Sequence, residues 1–74
     1  MFDKLRELAA TSKEVYFSWN GKPMILYADQ TDNGGWVLKE VTGNILYSGI
    51  DADDVLEFLS IRAKESSIQI DDEQ

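Results

Sequence analysis

Residues 14–27 read EVYFSWNGKPMILY, and the pattern on either side of their centre decides what kind of fold the chain can form. Val15, Phe17 and Trp19 alternate with Glu14, Tyr16 and Ser18, a period of two that sends one set to each face of a β-strand. Asn20-Gly21 comes next, and both residues accept the positive φ of a tight two-residue hairpin turn. With the turn there, Trp19 faces Lys22, Phe17 faces Met24, Val15 faces Leu26, and Tyr16 faces Ile25 on the other side of the sheet. The face carrying Val15, Phe17, Trp19, Met24 and Leu26 is the more apolar and is expected to be the inner one. Tyr16, Ile25 and Tyr27 are then left outside.

Upstream of the hairpin, Phe2, Leu5, Leu8 and Ala9 fall at helical spacing while Asp3, Lys4, Arg6 and Glu7 take the other side, so a short helix is expected over 2–13. Downstream, the second strand runs from Pro23 to Ala28 and gives way to Asp29-Gln30-Thr31-Asp32-Asn33-Gly34-Gly35, which is turn chemistry throughout. A third strand, Trp36 to Val41, turns at Thr42-Gly43-Asn44 and returns as Ile45 to Ser48; a two-residue turn and a bulge both fit, so the register stays open. The last helix is the best specified, expected from Ala52 to Lys64. Asp51 is placed to cap it, Ile50 and Val55 to staple it, and Asp53 and Asp54 sit where the helix dipole favours acids. Ala52, Val55, Leu56, Leu59 and Ala63 form its apolar stripe, with Phe58 on the border.

The expected architecture is therefore α+β: a four-stranded antiparallel sheet of two hairpins, flanked by an N-terminal and a C-terminal helix packed on one face. Residues 1–65 make one domain, and 66–74 are read as an acidic, flexible C-terminal tail. The 74 residues, 43% of them hydrophobic, suffice for one modest core. There is no cysteine for disulfides and no histidine, so packing or a partner must hold a chain this short together. Met1 leads directly into a charged amphipathic segment with no apolar signal core and no long apolar run, which points to a cytoplasmic protein without membrane contact.

Charge divides the chain unevenly. From Met1 to Ile50 six acids meet five bases, whereas from Asp51 to Gln74 eight acids face only Arg62 and Lys64, so nearly all of the net charge of −7 belongs to the last third. A field of this sign repels nucleic acid and attracts basic surfaces. Direct nucleic-acid binding by Tyr16, Tyr27, Trp19 and Trp36 as a stacking platform lacks the lysines and arginines such platforms use to neutralise phosphate.

Catalysis is equally poorly provided for. Without histidine or cysteine the remaining groups are carboxylates, lysines, tyrosines and hydroxyls, and Asp53 and Asp54, adjacent on a helix, point about 100° apart rather than at each other. Asp29, Thr31, Asn33, Gly34 and Glu40 occupy positions 1, 3, 5, 6 and 12 of an EF-hand calcium loop. The match is rejected, because Thr31 replaces an acid or amide, Trp36 is bulky at position 8, and the preceding segment has the period of a strand where an EF-hand needs a helix. Neither metal nor cofactor is expected.

The last helix carries the candidate site. At about 100° per residue from Ala52, Asp53, Asp54, Glu57 and Glu65 spread over roughly 100° to 220°, with Ile61 near 180° in their midst and Phe58 at the border. A lone exposed aliphatic is commonplace. An apolar anchor inside a ring of acids also suits a basic surface with a small hydrophobic pocket.

A short acidic chain without cysteine, with antiparallel strands and a terminal helix opening Ile50-Asp51-Ala52-Asp53-Asp54, resembles in general form the small phage-encoded inhibitors of host defence, including anti-CRISPR proteins and DNA mimics. The resemblance is one of form and carries over no functional residue; with the helix reading above, the leading expectation is a non-enzymatic protein that uses Asp53, Asp54, Glu57, Phe58, Ile61 and Glu65 to occupy the basic, nucleic-acid-binding surface of a host protein. The alternative expectation is a small structural or assembly module acting through Tyr16, Ile25 and Tyr27, as a monomer or a homodimer.

Overall fold

The computed structural model describes residues 2–29 and 34–70. Helix α1 spans Phe2–Thr11, strands β1 to β4 span Glu14–Trp19, Lys22–Ala28, Trp36–Glu40 and Ile45–Gly49, helix α2 spans Ala52–Arg62, and a 3-10 turn at Glu65–Ser67 leads into strand β5, Ile68–Ile70. The strands form one antiparallel sheet in the order β4-β3-β2-β1-β5.

The first hairpin has the register its turn dictates. Asn20 and Gly21 take φ values of 53° and 82°, and Trp19 pairs with Lys22, Phe17 with Met24, Tyr16 with Ile25 and Val15 with Leu26. Val15, Phe17, Met24 and Leu26 are buried and Trp19 packs beside them. Leu5 and Ala9 of α1 and Val55, Leu56 and Leu59 of α2 belong to the same core, so both helices cover one face of the sheet.

The second hairpin contains a bulge. Leu38 pairs with Tyr47 but Lys39 pairs with Ile45, which leaves Leu46 as the extra residue. Where the sheet hands over to the last helix the chain runs close to itself: a Cβ on Gly35 would collide with the carbonyl oxygen of Gly49, so only glycine fits there.

Two expectations about the C-terminal third are corrected. The sheet has five strands rather than four, because the stretch from Ser66 is not a frayed tail as far as Ile70: Ile68, Gln69 and Ile70 pair with Trp19, Ser18 and Phe17, and Ile68 is buried. The Asn20 N–H also donates to the Ser67 carbonyl at 2.8 Å, tying the hairpin turn to the new strand. Three residues of alternation are too short to distinguish from a polar tail, and the strand exists because β1 offers a free edge and a hydrophobic place for Ile68.

Helix α2 also stops two residues early. Ala63 is extended (φ −126°, ψ 141°), its N–H closing on the Leu59 carbonyl, so Lys64 and Glu65 lie beyond the helix. No local breaker marks this end; the chain must leave the helix axis there for Ile68 to reach β1.

The start of α2 is as expected at Asp51 and different at Ile50. Asp51 Oδ1 accepts the Asp54 N–H at 2.8 Å, satisfying one of the helix's orphan donors, and Asp54 Oδ2 reaches back past the cap to accept the Ile50 N–H at 3.1 Å. The staple does not form, since Ile50 is 81% exposed while Val55 is in the core.

Candidate functional site

On the outer surface of α2, the six residues singled out from the sequence have different fates. Asp53 Oδ1 accepts from Arg6 Nε of α1 at 2.8 Å, and Asp3 holds the same guanidinium at 3.2 Å. The hydrogen bond from Arg6 to Asp53, and then their mutual attraction, raise the guanidinium pKa above its ordinary value. Asp54 faces inward: besides its capping bond it accepts from the Tyr47 hydroxyl at 3.0 Å. That bond, with burial second, raises the Tyr47 pKa.

Phe58 is likewise committed. Its ring stacks on Tyr47 with centroids 4.2 Å apart and planes 14° from parallel, and the Arg62 guanidinium lies 4.0 Å above its centroid. Cation–π and stacking contacts therefore occupy the ring that was to border the anchor. Glu65, placed by helical geometry one turn beyond Ile61, opens the 3-10 turn instead and is no longer its helical neighbour. Glu57 and Ile61 remain, both exposed, the latter at 73%. Within α2 itself, Glu57 is the acid one turn from Ile61, and Arg62 follows Ile61 in the chain.

The second surface is the sheet face that the helices leave bare. Tyr16, Ile25, Lys39 and Ile45 lie in one cross-strand row, and Glu14, Tyr27, Val37 and Ser48 lie in the next. Tyr16 and Ile45 are exposed, Ile25 and Tyr27 half-buried. Val37 is 4% exposed although it points away from the helices and stands outside the main core. Its neighbours in register are Tyr27 and Ser48. Val37 and Ile45 were not singled out from the sequence, because the bulge at Leu46 hides which β4 residue shares a row with Tyr16. Strict alternation from Trp36 onward was the signal that could have found Val37.

Of the calcium-loop match, Thr31 and Asn33 lie outside the described residues, while Asp29 follows β2 directly, so a strand precedes the loop. Among the described residues no three acidic side chains converge as a cation cage would need, and no helix is long and apolar enough to cross a membrane. Comparison of the chain with protein-family models, curated proteins and solved structures finds no match.

Proposed function

We propose that the chain is a non-enzymatic protein-interaction module that meets its partner with the uncovered face of its sheet. The burial of Val37 carries this reading: a valine 4% exposed with no helix above it means that the outer side chains form an apolar surface of their own. An antiparallel sheet with one solvated face ordinarily sets polar residues there. Here Tyr16, Ile25, Tyr27, Val37 and Ile45 share the face, with Lys39 the charge in their midst and Glu14 at the rim. Aromatic anchors among aliphatics, with charge confined to a few positions, are the composition of an interface core.

A second reading has one observation in its favour. Ile61 is 73% exposed on α2 one turn from Glu57, as an apolar anchor against a basic surface would be. An inhibitor of the phage-encoded type would work through this face, with fewer free carboxylates than the sequence promises, since Asp53 and Asp54 have partners inside the molecule.

Affinity capture from the native source separates the readings. Tyr16→Ser with Ile25→Thr should abolish recovery of the partner, and Glu57→Gln with Ile61→Ala should leave it intact. The reverse pattern, together with elution by salt, would move the site to α2. Recovery unaffected by either pair would sink both.

A further inference from the structure

Residues 41–50 read VTGNILYSGI, ten consecutive residues without a charge in a chain whose net charge is −7. Four large hydrophobic side chains in this stretch stand exposed, Val41, Ile45 at 60%, Leu46 and Ile50 at 81%; elsewhere among the described residues only Tyr16 and Ile61 do. The stretch contains β4, which ends the sheet, so its outward main-chain donors and acceptors meet no further strand among the described residues. Edge strands are ordinarily blunted with lysine, proline or inward charge. This one has none of these, and among the described residues the bulge at Leu46 is what protects it.

We propose that β4 is a self-association edge, at which two copies of the chain pair β4 with β4, antiparallel about a two-fold axis. The product is one continuous ten-stranded sheet with all four helices on the same side. A strand meeting its own copy in this way is isologous and requires no second sequence. Charge selects the occupant. The rest of the sequence holds all fourteen acids, so two copies approach through the uncharged strip without setting like charges against each other. A basic partner would gain nothing from the same strip. Ile45 sits both on the edge and in the row with Tyr16, so pairing joins the two bare faces into one surface. Five residues make a short edge, which places the dimer in the weak class of interface.

Sedimentation equilibrium of the full chain tests this. Between about 10 µM and about 1 mM the mass should rise from 8.4 kDa towards twice that, as a small interface requires. Added salt should strengthen association, because it screens the repulsion between two anionic chains. Ile45→Glu should weaken it about tenfold or more by setting like charges across the two-fold axis. Ile61→Glu, the same charge change on α2, should leave it unchanged. Ile50→Glu, at a still more exposed position, should weaken it too, and answers the objection that Ile45→Glu disturbs the fold. A mass of 8.4 kDa at every concentration, equal weakening by Ile61→Glu, or weakening by salt would each overturn the proposal. The inference stands apart from the proposed partner-binding face: Tyr16→Ser with Ile25→Thr changes no β4 residue, so loss of the partner and loss of the dimer are separately visible.

Discussion

The bare face of the sheet and the outer face of α2 both expose hydrophobic side chains, but they differ in what surrounds them. On α2 most of the charged groups are engaged in holding the molecule together: Asp53 joins the two helices through Arg6, Asp54 accepts from the Ile50 N–H and the Tyr47 hydroxyl, and Arg62 covers Phe58. On the sheet the apolar residues lie side by side across the strands, and Val37 among them is buried. A cluster of acids in a sequence is therefore a poor guide to a free acidic surface, because each carboxylate also has structural uses, whereas an apolar row on a face that no helix covers has no internal use beyond cross-strand packing.

The largest test concerns the strand that completes the sheet. Ile68→Ala should lower unfolding free energy by about 3 kcal/mol, the scale of a buried aliphatic truncation, and a chemical denaturation curve would read it. A change near zero would return residues 66–70 to the status of a tail. Next comes the bare face itself. Val37→Ala should cost about 1.5 kcal/mol, since two methyl groups leave a dry place. Its neighbour Leu38, on the helix-covered side, should cost about 3 kcal/mol on the same change. A loss close to zero at Val37 would mean the outer surface is not packed, and the contrast with α2 would collapse.

Gly21→Val should destabilise by about 1 kcal/mol or more, because a β-branched residue tolerates positive φ poorly and the register of both sheet faces hangs on that turn. Smaller still is the Tyr47–Asp54 bond, which sharpens the α2 side of the comparison through pH. The neutral phenol is the donor and its pKa is raised in the fold, so the stabilisation is whole below the ordinary value of 10.0 and is lost as pH rises through the folded value. Thermal melts of Tyr47→Phe should thus lie below the parent at neutral pH and approach it in alkali; no gap at neutral pH would show that the ring, which the variant keeps, and not the hydroxyl, matters. The smallest effect belongs to Glu57→Gln with Ile61→Ala, which should stay within about 0.5 kcal/mol of the parent in a denaturation curve, as exposed positions do. A larger loss would reveal a packing role for Ile61.

What the sequence alone determined is what depends on near neighbours. The two-residue period and Asn20-Gly21 set the first hairpin to the residue, since both act within a few positions and a slip by one would turn Val15, Phe17, Met24 and Leu26 to solvent. The Asp51 cap was legible for the same reason, being a contact with a residue three positions on. So was the exposure of Ile61, which follows from its angle opposite the stripe of α2. Tertiary structure decided what depends on distant partners. Arg6 and Asp53 are 47 residues apart, and nothing local says that the acid will be neutralised. The end of α2 at Arg62 and the strand at Ile68 follow from a free edge on β1, a property of the assembled sheet rather than of residues 63–70. The bulge at Leu46 shifts Ile45 into the row of Tyr16, and the covering of one face by both helices makes the other face bare. Local propensity acts over a turn of helix or a pair of strands, while burial is settled only when every element has found its place, and it is burial that separates a committed side chain from an available one.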